Sequence, residues 1–333
     1  MPRSDSRKET LIQATEQGFH ERLKALLPPS PKDLLPLGDD CTAIAPGPGE
    51  VLLASTDSVA QGTHFPPGTP ARLVGRLAAA VNLSDLAANG GRPEGLLSCL
   101  LLPPSTKRRW AEEVLLGMNE TARAHGARVL GGDTKSSPVP IVVATALGWG
   151  RRGKLMPRSG ARAGDLIAVT GTVGRGGALV TALDRGLGNR ARVLQELLSV
   201  EPRCREGMVL RDFAHAAIDS SDGLAKSLRL IGSASGVGAR VDEKRLPYHP
   251  AVGRVAGKIS LAPSDLAFLG GDYELVLAIP PSRKSACERR VRRAGFPLHF
   301  IGEFTRSRTF RLEQDGDERP LPEVGWDSFA SQS

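Results

Sequence analysis

Apolar residues gather along this chain in two kinds of run. Short runs at 51–54, 96–102, 127–130, 141–147, 166–170 and 275–279 are bounded by Gly, Pro or polar residues, and they predict β-strands. Between them, apolar positions recur at helical spacing. Segment 72–88 carries Leu73, Leu77, Val81 and a run of Ala, and segment 107–125 follows a Pro-Pro-Ser-Thr stretch that supplies an N-cap. Segments 177–185, 203–217 and 223–233 read as further helices. The alternation predicts an α/β fold. The sheet need not be parallel, because the spacing is irregular and no dinucleotide fingerprint follows the first strand. A basic, Gly-rich stretch at 148–164 marks the expected boundary between an N-terminal domain, 1–150, and a C-terminal domain, 151–333.

Length agrees with two domains, since 333 residues can fill two cores. The longest uncharged apolar stretches, near 95–106 and 139–150, fall short of the roughly 20 residues of a membrane span. No membrane association is expected. The polar start MPRSDSRKETLIQ lacks the apolar core of a secretory signal, so a cytoplasmic protein with reduced thiols is expected. Cys41, Cys99, Cys204 and Cys287 show no C-x-x-C pair and no zinc-ligand spacing, and read as buried or incidental thiols. Of the net charge of +8, much sits in 283–293, with six Lys/Arg against one Glu. No aromatic residue interleaves with that patch, so it reads as a solvated helix face, with Ala286 and Val291 as its few apolar residues, and not as a nucleic-acid platform.

The acids carry the chemical signal. Asp39 and Asp40 stand in LGDDC, Asp57 in LLASTDS, Asp85 in VNLSDLAANG, Asp133 in VLGGDTK, Asp219 and Asp222 in AAIDSSDGL, and Asp272 in LGGDYEL. Each lies beside small residues at the end of an apolar run, where Asp is uncommon without a local reason. One reason is turn and cap chemistry. The other is a shared site for Mg²⁺ and a polyanion, with Gly131-Gly132, Gly270-Gly271, Ser55-Thr56 and Ser220-Ser221 admitting phosphate oxygens closely. The number of similar motifs favours the second. Asn82 and Asp85 share a helix face, either a packing edge or a ligand-facing one. His64 fits a substrate contact or a structural hydrogen bond. GTVGRGGA, 171–178, matches neither a P-loop nor a Rossmann pattern and reads as a strand-to-helix turn.

Taken in order, GDDC, STDSVAQGTHF, NLSDLAANG, GGDTK, IDSSDGL and GGDYEL resemble the thiamine-monophosphate kinase family, with VTGTVG and a terminal GWDSFA adding to the likeness. That family shares a superfamily with aminoimidazole ribonucleotide synthase, selenophosphate synthetase and a hydrogenase maturation factor. The resemblance implies a homodimer of two α/β domains of the aminoimidazole ribonucleotide synthase-like type. The N-terminal domain would form the dimer and the C-terminal domain would close the ATP cleft. It implies ATP-dependent phosphorylation of thiamine monophosphate to thiamine diphosphate, with Mg²⁺ as cofactor and ATP as co-substrate. By the resemblance, Asp40, Ser55, Thr56, Asp57, Asp85, Asp133, Asp219 and Asp222 are metal ligands. Gly132, Arg158 and Ser221 are nucleotide contacts, and His64, Asp272 and Trp326 meet the substrate. No residue is expected to form a covalent intermediate. One departure stands out: the family pattern has two acids between Gly-Gly and Tyr-Glu-Leu, and here Asp272 stands alone. The alternatives are another ATP-dependent enzyme of the superfamily with a different small acceptor, or a weakened nucleotide-binding regulator. A selenophosphate-type reaction would draw on Cys41, next to Asp40.

Overall fold

The computed structural model describes residues 39–327 apart from 46 and 48, together with residues 18, 34 and 35. The rest of the first 38 residues, and Ser328 to Ala330 of the terminal GWDSFA motif, lie outside the described residues.

Strands β1 (Thr42–Ile44), β2 (Glu50–Ala60), β3 (Arg92–Leu102), β4 (Val129–Ser136) and β5 (Ile141–Arg151) form one sheet in the order β1-β2-β5-β3-β4. Pairing is antiparallel except between β3 and β4, which are parallel and joined through helix α2 (Arg108–Ala124). Helix α1 (Ala71–Ala88) lies across β2 and β5, with α2 over it. Alternate residues of β2 and β5 face α1 and are buried, while the other face of this sheet is only partly covered.

The second sheet runs β12-β11-β8-β10-β6-β9-β7, from β6 (Leu166–Thr170), β7 (Ala216–Asp219), β8 (Gly238–Asp242), β9 (Leu275–Ile279), β10 (Leu298–Thr305), β11 (Phe310–Gln314) and β12 (Asp317–Pro320). Helices α3 (Arg175–Asp184), α4 (Arg190–Leu198), α5 (Cys204–Leu210), α6 (Leu224–Ser235), α7 (Pro250–Ile259), α8 (Pro263–Ala267) and α9 (Lys284–Ala294) surround it. The fold is thus mixed α/β with two sheets. Among the described residues no helix is long and apolar enough to cross a membrane.

Helix α1 joins the two halves. It is buried almost all round, including polar Asn82 and Ser84, because it packs on β2 and β5 on one side and on α5 and β7 on the other. Its run of Ala suits that position, since small side chains let neighbours approach on every face. The approach to α2 is closer still. A Cβ at Gly75 would lie 1.8 Å from the carbonyl oxygen of Val114, and one at Gly117 would lie 2.0 Å from that of Arg72.

Several sequence expectations need correction. The predicted 107–125 helix starts from Lys107 with no side-chain cap, so the Ser-Thr before it does not act as the N-cap. The predicted 203–217 helix is only Cys204–Leu210. Its second half turns at Phe213, whose N–H donates to the Leu210 carbonyl, and then joins the sheet as β7, drawn there by pairing with β9. Strand β2 extends through Ser55, Thr56 and Asp57, and β4 carries Gly131 to Ser136, so Asp57 and Asp133 lie inside strands and not beyond them. On α9 the buried positions are Cys287 and Val291, with Ala286 only half-buried.

Gly75→Ala is expected to lower unfolding stability by about 1–3 kcal/mol through overpacking of the α1–α2 crossing, measured by urea denaturation. An unchanged midpoint would show that the two helices can separate without loss.

Candidate active site

Asp40 precedes β1, Asp85 lies on α1, and Asp219 ends β7, so three distant segments converge. One carboxylate oxygen from each lies within 4.8 Å of the others. Hydroxyl donors surround the group. Ser55 Oγ donates to Asp85 Oδ2, Ser84 Oγ to Asp219 Oδ2 at 2.6 Å, and Ser221 Oγ to Asp219 Oδ1 at 2.7 Å. Arg158 Nη2 donates to Asp40 Oδ1 at 2.7 Å, while its main-chain N–H donates to Asp39 Oδ2 at 2.9 Å. Asn89 Nδ2 donates to Asp39 Oδ1 at 2.9 Å.

Electrostatics make this cluster uneasy without a cation. Burial, then the charges of Asp219 and Asp40, push the Asp85 carboxyl well up, and burial followed by the charge of Asp40 pushes Asp219 up. Asp39 is raised to about 6 by burial and then by Asp40. The Oδ2 atom of Asp40 is buried with no hydrogen-bond partner. A hard divalent ion such as Mg²⁺ fits this donor set, which offers only oxygens and leaves one buried carboxylate oxygen unspent.

A cavity of about 380 Å³ opens beside the cluster, lined by Asp57, His64, Ser221, Asp222, Tyr273 and Trp326. Leu77 of α1, Leu197 and Val200 supply apolar wall. The Asp57 N–H donates to Asn82 Oδ1 at 2.9 Å, so the buried Asn of α1 holds this stretch of β2 in place. His64 Nδ1 accepts from the Ala60 N–H at 3.1 Å, and burial pushes the ring below its ordinary value. The neutral imidazole therefore keeps its proton on Nε2. The Trp326 N–H donates to the Asp222 carbonyl at 3.1 Å, and Lys226 Nζ reaches both the Trp326 carbonyl at 2.6 Å and Asp222 Oδ2 at 2.8 Å. These bonds hold the chain beyond β12 against the start of α6.

Four other expected residues stand elsewhere. Thr56 points to the opposite face of the sheet from Ser55 and Asp57, and its hydroxyl meets Thr145 Oγ1 at 2.8 Å. Gly132 and Asp133 are exposed on the edge strand β4, where Asp133 pairs with Lys135 at 3.1 Å. The register Asp57–Ala144–Ser98–Gly132 leaves β5 and β3 between them and β2, about 14 Å at ordinary strand spacing. Asp272 does not line the cavity. It is buried, and its two oxygens accept the N–H groups of Gly174 at 2.7 Å and Gly176 at 2.9 Å, capping α3. The expected substrate contact is thus turned inward, because the start of a helix offers unpaired N–H groups to a buried carboxylate.

Sequence reasoning missed Ser84, Tyr273 and Glu274. Glu274 is buried and takes a bidentate pair from Arg203, Nε to Oε2 at 2.7 Å and Nη2 to Oε1 at 2.5 Å, with Thr170 Oγ1 donating to Oε2 at 2.7 Å. Its main-chain N–H donates to Ser220 Oγ at 3.0 Å and its carbonyl accepts from the Ser220 N–H at 2.8 Å, which fixes the loop after Asp219. The place of Glu274 in GGDYEL was the available signal. Cys41 is buried, and burial followed by the charge of Asp85 pushes its thiol well up, so it is not poised as a nucleophile.

Each half of the chain matches a family model: residues 38–149 match the AIR synthase related protein, N-terminal domain, and residues 162–315 match the C-terminal domain. Fold and site thus define a two-domain protein of the AIR synthase-related class. Thiamine-monophosphate kinase of Escherichia coli (strain K12) is 34% identical over 309 residues, covering 89% of this chain and 92% of that protein. The chain belongs to the thiamine-monophosphate kinase family. The solved complex of AaThiL with AMPPCP and TMP is similar at a TM-score of 0.84 and 25% identity, covering 97% of this chain and 100% of that one. The kinase structure from Stenotrophomonas maltophilia K279a is similar at 0.75 and 32%, covering 93% and 97%.

The raised carboxyls give the metal-free fold protons that the unfolded chain releases, so it loses stability as pH rises from the ordinary carboxylate range through about 7, the value for Asp219. A divalent cation held by the cluster would relieve this cost by replacing protons. The gain in melting temperature on adding MgCl₂ to chelator-treated protein is expected to be larger at pH 8 than at pH 5.5, and an equal gain at both would remove the cluster as the ion's site.

Proposed function

We propose that this protein transfers the γ-phosphoryl group of ATP to the phosphate of thiamine monophosphate, giving thiamine diphosphate and ADP. The observation that carries this reading is the cluster of Asp40, Asp85 and Asp219 beside a cavity lined by Asp57, Asp222, His64, Tyr273 and Trp326. Support also comes from the likeness over most of the chain to curated thiamine-monophosphate kinases, and to a relative solved with an ATP analogue and TMP.

Asp40, Asp85 and Asp219 would hold Mg²⁺, with Ser55 orienting Asp85. Asp57 and Asp222 lie toward the reacting phosphates and complete the ion sites. When bound, Mg²⁺ neutralises the repulsion between the two anions. The acceptor phosphate is already ionised, so no side chain need remove a proton and none need form a covalent bond. The chain's own work is positioning. Ser221 and Arg158 face the nucleotide. His64 offers its Nε2–H to the acceptor, and Trp326 offers an aromatic face to a cationic thiazolium, worth about 0.5–2 kcal/mol. Asp272 acts at one remove, by holding the start of α3. Cys41 has no part, which disfavours a selenophosphate-type reaction.

Thr56, Gly132 and Asp133 enter the site in this reading through a second copy of the chain. Among the described residues strand β4 has a free edge and is exposed along most of its length, Leu97 and Leu130 are 42% and 41% exposed, and Ile141, Val143 and Leu147 on the same sheet are only half-buried. A homodimer through this sheet would cover them and carry Gly132 and Asp133 toward a nucleotide. The two domains divide near residue 150, and the protein works in the cytoplasm.

Purified protein with ATP, Mg²⁺ and thiamine monophosphate is expected to release ADP and form thiamine diphosphate, identified by mass; ADP release without thiamine diphosphate would overturn the acceptor. Asp57→Asn is expected to lower kcat by about 10²–10³-fold with an unchanged melting temperature, and near-normal turnover would remove Asp57 from the metal site.

A further inference from the structure

Gly174-Arg175-Gly176-Gly177 opens α3, where the sequence predicts only a strand-to-helix turn. The structure gives Arg175 more to do. Its Nη1 donates to the main-chain carbonyls of Glu196 at 2.8 Å and Leu197 at 3.1 Å, and its Nη2 donates to that of Gly271 at 2.8 Å. The first two belong to the last turn of α4, where carbonyls have no helical partner. The third belongs to the loop before β9. A single guanidinium thus ties together two segments that are far apart in sequence.

Both segments wall the cavity. Leu197, Leu198 and Val200 line it from the side of α4, and Gly270, Gly271 and Tyr273 from the side of the loop. The loop is held down from its other side as well. A Cβ at Gly176 would lie 2.2 Å from the Gly270 carbonyl oxygen, so only glycine lets α3 start so close to the loop. Asp272 caps α3, and Glu274 is locked to Arg203, so the two neighbours of Tyr273 both point inward. Tyr273 between them adopts a φ of +58°, a conformation that tyrosine keeps only under external constraint, and its side chain lines the cavity. The tie from Arg175 to Gly271 lies two residues away.

We propose that Arg175 is a positioning residue that sets the width of the cavity between these two walls, and thereby the affinity for the acceptor, by tying the last turn of α4 to the Gly270-Gly271 loop. This rests on the reading of that cavity as the thiamine monophosphate site. The family likeness does not supply it, and it explains how a loop one acid short still presents a defined wall. With no carboxylate from the loop lining the cavity, acceptor recognition depends on the fit between apolar and aromatic surfaces, and fit depends on how far apart the two walls stand.

Arg175→Met keeps the aliphatic stem and removes the donors, and Arg175→Lys keeps one donor group. In steady-state kinetics Arg175→Met is expected to raise KM for thiamine monophosphate about tenfold while KM for ATP stays within about twofold, with Arg175→Lys between it and the wild type. In hydrogen exchange, amides at 197–200 and 270–273 are expected to exchange at least about tenfold faster in Arg175→Met, with other segments unchanged. Wild-type KM and exchange in Arg175→Met would overturn the proposal. So would an equal rise in both KM values with general loss of protection, which is the signature of a merely structural role. If the wild type forms no thiamine diphosphate, the acceptor reading fails, and exchange at the two segments still decides whether Arg175 ties them. Should Arg175→Met not fold, Arg175→Lys decides by the same two readouts.

Discussion

Three carboxylate oxygens held within 4.8 Å of one another, with Asp40 and Asp219 buried, repel one another, and much of this fold exists to keep them there. Helix α1 brings Asp85 and Ser84 between the two sheets. β7 brings Asp219, and the segment before β1 brings Asp40. Hydroxyls of Ser55, Ser84 and Ser221 and the guanidinium of Arg158 soften the repulsion without removing it. Because α1 packs on both halves of the chain, the cluster moves only if that packing moves. The close α1–α2 crossing at Gly75 and Gly117 makes such movement difficult.

The cluster and the cavity beside it are built differently. In the cluster, side chains of opposite or competing charge set the geometry. Around the cavity, the defining contacts run to main-chain groups: the Asp272 side chain to two N–H groups, the Arg175 side chain to three carbonyls, and the main-chain N–H of Trp326 to the Asp222 carbonyl. These contacts shape backbone and leave rings and aliphatic groups to line the cavity beside Asp57 and Asp222.

That difference governs what could be read from the sequence. Strands 166–170 and 275–279 and the helix at α1 were legible because short apolar runs and helical spacing survive in one dimension. The acids were legible as a set, since several Asp beside small residues need a common reason. Which of them meet was not. Asp133 carries the same local signature as Asp219 yet sits two strands from the cluster, because strand order is set by the whole sheet. Asp272 looks like its neighbours in composition, but a helix start within reach captures it. Residues 213–219 carry apolar residues compatible with either period, and pairing with β9 decided for strand. Glu274 and Tyr273 were invisible as functional residues because their roles come from partners 71 positions away, in the case of Glu274, and from a backbone conformation, in the case of Tyr273.

The parallel pairing of β3 with β4 bears on how this molecule matures. A parallel neighbour cannot be laid down by a hairpin; the chain must first travel out through α2 and return. Leu97 meets Gly131 of β4 across 34 positions, whereas it meets Thr145 of β5 across 48, and Asp57 of β2 meets Ala144 across 87, so β5 closes the longest loops of this sheet. The strand that joins β2 to β3 and β4 is therefore the latecomer of its sheet. A newly made chain holds the strand of Asp57 apart from the strand of Gly132 and Asp133 until β5 enters between them.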